Sequence, residues 1–143
     1  VKPKLQQAYM DTARIFAELS HAKRLHVGAI VVKDDRIISI GYNGMPTGWT
    51  NDCEDVIQYS DDTTALKTKP EVLHAETNAL AKLARSTESG LDADIFITHS
   101  PCLDCAKLIY QSGIRRVWYG TEYRDSAGPN FLRKSGVEVT KLD

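Results

Sequence analysis

Three side chains in this sequence have the types and spacing of a metal site. His74 opens the tripeptide His74-Ala75-Glu76, and two thiols follow in Pro101-Cys102-Leu103-Asp104-Cys105. One imidazole and two thiols form a soft nitrogen and sulfur set that suits Zn²⁺. A tetrahedral zinc with three protein ligands keeps its fourth position for water, which is the mark of a catalytic site. Glu76 follows the ligand His74 with one residue between, so it can stand beside that water without being a ligand. The set supplies a metal to make hydroxide and a carboxylate to move protons. Taken singly, each residue has a plainer reading: a core histidine, a first-turn helix carboxylate stabilised by the dipole, a redox Cys-x-x-Cys pair. The combination is what turns them toward metal chemistry.

The elements that must position these residues follow from periodicity. Lys4 to Leu19 carries apolar residues at helical spacing, with Pro3 in the first turn. Val27 to Val32 and Arg36 to Tyr42 are β-branched runs joined by Lys33-Asp34-Asp35, which predicts an antiparallel hairpin. It ends in Gly41-Tyr42-Asn43-Gly44, a tight corner that brings backbone close to something. Asn51 to Pro70 has no clean period; it reads as a long functional or partly mobile connection with room for short helical turns. Leu73 to Arg85 is a helix, Asp94 to Thr98 a strand, and Cys102 to Gln111 a second helix with Leu108 and Ile109 inward and Gly113 as its stop. Arg116 to Tyr119 is a strand, Phe131 to Lys134 a brief helix stopped by Gly136, and Val137 to Thr140 a last strand. Both halves of the metal set therefore sit at helix N-termini, where unpaired N–H groups and the dipole favour thiolate. The order predicts a single α/β domain over 1–143: a three-layer α/β/α sandwich around a central five-stranded mixed sheet.

Composition limits the function classes. A chain of 143 residues is one ordinary domain, burying roughly 70% of its unfolded surface. The 42% hydrophobic content excludes global disorder. Eighteen basic against 19 acidic residues leave a formal net charge of -1, which argues against a surface built for long nucleic acid. Three cysteines cannot pair completely, so a reducing, cytoplasmic compartment is expected. No apolar run approaches the roughly 20 residues of a membrane span, and Val1 to Gln7 does not read as a signal peptide.

His-x-Glu followed by Pro-Cys-x-x-Cys is the signature of the zinc nucleobase deaminases. At these residues the chain resembles the cytidine deaminase-like superfamily, and within it the deoxycytidylate (dCMP) deaminase branch. Arg24-Leu25-His26-Val27-Gly28-Ala29, Gly41-Tyr42-Asn43-Gly44, His74-Ala75-Glu76-Thr77-Asn78-Ala79, Ser100 to Lys107 and Gln111-Ser112-Gly113-Ile114 carry the resemblance, in order along nearly the whole chain. It implies that His74, Cys102 and Cys105 hold Zn²⁺ and that hydroxide attacks C4 of the cytosine of dCMP. Glu76 would take the water's proton, then protonate N3 and the departing ammonia, leaving dUMP for thymidylate synthesis. The Ala75 N–H and the Cys102 carbonyl region would read the base edge.

The resemblance implies further roles. Asn43 would contact the sugar, Tyr123 would wall the base, and Arg24 would meet a phosphate. Gly41, Tyr42 and Gly44, with Lys23, would serve an effector site between subunits of a homohexamer activated by dCTP and inhibited by dTTP, with Mg²⁺ accompanying the triphosphate. Each has an ordinary alternative: Asn43 a turn residue, Tyr123 a rim tyrosine, Lys23 and Arg24 a solvated basic loop. Arg85 is either an interface residue or a helix-terminal cation. Cys53 is a plain reduced cysteine or, with His21 or His26, part of a second zinc site. Two other readings stay open: a deaminase of another base, such as tRNA adenosine or a free cytosine nucleoside, and a zinc-stabilised nucleotide-binding module without catalysis. Glu76 speaks against the latter, since a closed structural zinc has no use for a proton carrier.

Overall fold

The computed structural model describes residues 1–142; Asp143, the last residue of the expected 1–143 domain, lies outside them. Among the described residues the elements run α1 (Pro3–Ala17), β1 (Gly28–Lys33), β2 (Arg36–Tyr42), β3 (Glu54–Gln58), β4 (Thr64–Thr68), α2 (Ala75–Ala84), β5 (Asp94–His99), α3 (Leu103–Gln111), β6 (Arg116–Thr121), α4 (Ala127–Lys134) and β7 (Glu138–Lys141). The central sheet has the order β2-β1-β5-β6-β7. β1 is antiparallel to β2 and to β5, whereas β5, β6 and β7 are parallel. This is the expected five-stranded mixed sheet. Asp34 and Asp35, both at positive φ (52° and 58°), make the two-residue turn that matches strand twist in a hairpin.

Alternation along the strands divides the core between the two faces. Ile30, Val32 and Phe96 face α1 with Met10 and Ala13. Ala29, Val31, Ile95, Ile97 and Val117 face the other way, against Ala79 of α2, Ile109 of α3 and Leu132 of α4. The layers are therefore helix, sheet, helices. No helix among the described residues is long and apolar enough to cross a membrane.

Several expectations need correction. The Asn51–Pro70 connection is not helical but a β-hairpin, with Val56 opposite Leu66 in a separate two-stranded sheet. Leu108 points outward at 47% exposure while Ile109 is fully buried. The bulky Ile15 of α1, and Leu19 just beyond its end, are exposed, and Met10, Ala13 and Ala17 form the inner stripe. Close packing explains that choice, because a Cβ on Gly28 of β1 would lie 2.0 Å from the Ala13 carbonyl oxygen. Only small side chains fit at Ala13 and Ala17, where α1 lies against Gly28. α4 begins at Ala127, four residues earlier than expected.

Candidate metal centre and adjoining cavity

α2 and α3 present their N-termini to one another at the carboxyl ends of the parallel strands, the usual place for a site in an open α/β sheet. His74 is the N-cap of α2 and Cys102 the N-cap of α3, both extended in backbone and neither supplying a side-chain cap. Their side chains are thus turned to each other instead of back onto their helices. His74 Nδ1 lies 3.3 Å from Cys105 Sγ and 3.6 Å from Cys102 Sγ. All three ligand atoms lie within 4.8 Å of one another.

Those distances test the zinc expectation directly. Zn–N and Zn–S bonds of about 2.0 and 2.3 Å at tetrahedral angles require N···S edges of about 3.5 Å. The two observed edges bracket that value, so the trio fits zinc. The proton distribution agrees: a hydrogen bond from Cys105, followed by that with His74, lowers Cys102 to about 4. The Cys105 thiol, as donor to Cys102 and buried, is pushed up. Cys102 and Cys105 would hold a cation as thiolates in place of that shared proton. Thr77 Oγ1, 3.8 Å from Cys105 Sγ, supports the second sulfur from the first turn of α2.

Glu76 is only 4% exposed. Burial pushes its carboxyl up, opposed by its own backbone N–H and by His74. A carboxyl so held changes charge nearer neutral pH than an exposed one, as a proton carrier should. The close approach expected at Gly41 is to this same helix. A Cβ there would lie 2.3 Å from Ala75 O and 2.6 Å from Ala79 N, so β2 sets the height of the turn bearing His74 and Glu76.

His74 and Cys102 of the trio, with Glu76, line a cavity of about 420 Å³ whose wall also includes Arg24, Asn43, Ala75 and Tyr123. That volume is in the range of small-ligand sites. All four substrate candidates therefore gather on one cavity with the metal group. The Asn43 side chain already holds the loop before β1: the Val27 N–H donates to Oδ1 at 2.9 Å, and Nδ2 donates to Leu25 O at 2.8 Å. The Arg24 guanidinium donates to Thr68 Oγ1 at 3.3 Å. The Tyr123 N–H donates to the buried Ser100 hydroxyl at 2.9 Å. The Cys102 carbonyl accepts the Ala106 N–H at 2.9 Å as the first bond of α3, so one of its lone pairs is committed to the helix.

Gly41, Tyr42, Gly44 and Lys23 do not line this cavity. Tyr42 O accepts from Asn78 Nδ2 at 2.8 Å, and Gly44 exchanges both backbone bonds with Leu73. Arg85 caps the C-terminus of α2. Cys53 is buried, with its thiol 3.6 Å from Asn51 O, and His26 Nε2 is 2.6 Å from Ala22 O. Among the described residues the His74–Cys102–Cys105 group alone has the arrangement of a metal site.

Two wall residues escaped sequence reasoning. His99, at the end of β5, stacks obliquely on Tyr123 with ring centroids 5.4 Å apart; burial lowers its pKa and keeps it neutral. Glu54, the first residue of β3, accepts the Lys23 and Arg24 N–H groups on Oε2. A lone histidine before Ser-Pro-Cys and an acid in an acid-rich connection carry no period that could have marked them.

Residues 3–121 match the family described as the cytidine and deoxycytidylate deaminase zinc-binding region. The crystal structure of the dCMP deaminase from cyanophage S-TIM5 in complex with dCMP and dUMP is similar, with a TM-score of 0.88 and 47% identity over 99% of each chain. The deoxycytidylate deaminase of Enterobacteria phage T4 is 33% identical over 170 residues, 91% of this chain and 86% of that protein. ComE operon protein 2 of Bacillus subtilis is 32% identical over 138 residues, 96% of this chain and 70% of that protein.

Proposed function

The chain belongs to the cytidine and deoxycytidylate deaminase zinc-binding family, and from that premise we propose that it hydrolyses dCMP to dUMP and ammonia, a source of dUMP for thymidylate synthesis. The observation that carries this reading is a zinc-fitting trio beside a buried glutamate, at a cavity whose wall also holds an arginine. The phage enzyme described with dCMP and dUMP, alike along almost the entire chain, supports the choice of nucleotide.

His74, Cys102 and Cys105 would hold Zn²⁺, which when bound acts as a Lewis acid that makes a water nucleophilic near neutral pH. Glu76 takes one proton of the attacking water on its carboxylate and gives it to N3 of the base, then takes the remaining proton from the hydroxyl newly bonded to C4 and passes it to the departing amine. The Ala75 N–H reads the base edge and Tyr123 walls the ring. Burial raises the Tyr123 phenol above its ordinary value, so it stays neutral and adds no charge to the base site. Asn43 positions the sugar, and the Arg24 guanidinium receives the 5′-phosphate.

The regulatory part of the proposal places Gly41, Tyr42, Gly44 and Lys23 at an effector site of a homohexamer, with dCTP activating, dTTP inhibiting and Mg²⁺ accompanying the triphosphate. Support comes from the Gly44–Leu73 bridge, which joins this corner to the residue preceding His74. Such a contact is a short route for coupling, whose existence only linkage measurements can establish. The protein would act as one domain over 1–143 in the reducing cytoplasm, where its three cysteines stay free.

The test is ammonia release from dCMP, with cytidine, dCTP and a tRNA anticodon loop as competitors for the assignment. Turnover of dCMP that is lost on chelation and restored by Zn²⁺ is expected. Preference for another substrate refutes the dCMP reading, and full activity after chelation refutes the metal assignment. Indifference to dTTP in both rate and dCMP affinity refutes the regulatory part.

A further inference from the structure

Building on the deaminase reading above, we propose that Glu54 sets the specificity of the site by accepting the 3′-hydroxyl of the nucleotide, so that free mononucleotides are taken and cytosine within a polynucleotide is refused. Glu54 is 5% exposed and lines the cavity. Its Oε2 accepts from the Lys23 N–H at 2.8 Å and the Arg24 N–H at 2.9 Å. Its Oε1 is buried without a hydrogen-bond partner among the described residues. Buried carboxylate oxygens are rarely left so, because the lost hydration is not recovered until a donor arrives.

The chemistry of the nucleotide leaves one donor for that oxygen. A carboxylate accepts and does not donate, so it repels the 5′-phosphate, which the Arg24 guanidinium on the same loop attracts. A 2′-deoxynucleoside monophosphate offers hydrogen-bond donors at the exocyclic amine and the 3′-hydroxyl. The amine is the leaving group and must lie by Glu76 and the metal ligands. Glu54 is tied through Oε2 to the backbone of Lys23 and Arg24, the loop whose guanidinium takes the 5′-phosphate in the reading above, so it belongs to the sugar-phosphate end of the cavity. The 3′-hydroxyl remains. Inside a polynucleotide the 3′-oxygen is esterified: it has no hydrogen to give and brings a negative phosphodiester. The same oxygen that welcomes the monomer repels the chain.

The experiment compares kcat/KM for dCMP, 2′,3′-dideoxycytidine 5′-monophosphate and deoxycytidine 3′,5′-bisphosphate in the zinc-loaded parent and in Glu54→Gln. Glutamine keeps a carbonyl oxygen for the two loop N–H groups and removes the charge. For the parent, loss of the hydroxyl should reduce kcat/KM by about 10- to 100-fold, the range of a hydrogen bond to a charged group, and the bisphosphate should do worse. In Glu54→Gln the hydroxyl meets a neutral amide in place of a charge, so the dCMP-to-dideoxy ratio should fall by about 5- to 10-fold relative to the parent, toward the range of an uncharged hydrogen bond. Zinc content and melting temperature report whether the variant is intact, and the parent comparison needs no variant. Equal turnover of dCMP and the dideoxy analogue by the parent overturns the assignment alone, as does an unchanged ratio in a folded Glu54→Gln. No turnover of dCMP by the parent overturns the deaminase reading and this assignment with it.

Discussion

Replacing Gly41 by alanine should damage chemistry more than it damages folding. The added Cβ would sit 2.3 Å from Ala75 O and 2.6 Å from Ala79 N, both backbone atoms of α2. Carbon atoms essentially never come nearer than 3.0 Å in such contacts, so β2 and α2 must separate by at least about 0.7 Å (3.0 minus 2.3). Overpacking of this size destabilises by roughly 1–3 kcal/mol. The displaced turn is the one carrying His74 and Glu76, and a misplacement of about 1 Å near reacting groups costs on the order of 100-fold. A fall of about 10- to 100-fold in kcat/KM is therefore expected under conditions where the variant is fully folded, together with weaker zinc binding in a competition with a chelating dye. Gly28→Ala is the control, because its Cβ would strike Ala13 O of α1 at 2.0 Å on the opposite face of the sheet. It should lose at least as much stability in chemical denaturation while the folded fraction keeps its activity. Gly44→Ala, with nothing within 4 Å of the new Cβ, should be within about 0.5 kcal/mol of the parent. A destabilised Gly41→Ala with parental kcat/KM, or a Gly28→Ala equally impaired in turnover, would refute the link between β2 and the metal turn.

Glu76→Gln should retain zinc by elemental analysis, since Glu76 is outside the ligand group, and lose about 10²- to 10⁴-fold in kcat, the range of a general acid/base; parental activity would remove it from the mechanism. His99 gives a pH dependence of stability. Burial lowers its pKa below the ordinary 6.5, so as pH falls through 6.5 the unfolded chain takes up a proton before the folded one, and stability declines until the folded pKa is passed. Denaturation between about pH 5 and pH 8 should show a smaller acid loss in His99→Gln than in the parent, and identical slopes would contradict the assignment.

The sheet and the metal trio were readable because both rest on period or spacing. β1, β2 and β5 are long β-branched or apolar runs, and His74, Cys102 and Cys105 sit at helix starts that their neighbours announce. The β3–β4 hairpin was not readable, since most of its side chains face solvent and alternation has no buried face to mark. The outward turn of Leu108 and the alanine stripe of α1 failed for a related reason. Periodicity reports where apolar residues recur, while packing selects the face whose size fits the partner. His99 and Glu54 acquire meaning only by tertiary neighbours, one as a ring against Tyr123, the other as an acceptor for a loop 30 residues before it in the chain.

The β3–β4 hairpin pairs with no strand of the central sheet among the described residues. It touches the cavity through Glu54 and Thr68, the residues at its open end. The sheet and its two helix starts carry the metal trio and Glu76, while the two-strand module adds only Glu54 and Thr68 to a wall that Arg24, Asn43 and Tyr123 also form. Exchanging the stretch 54–68 would therefore vary one part of the cavity wall, the part that carries Glu54, while leaving His74, Glu76, Cys102 and Cys105 in register.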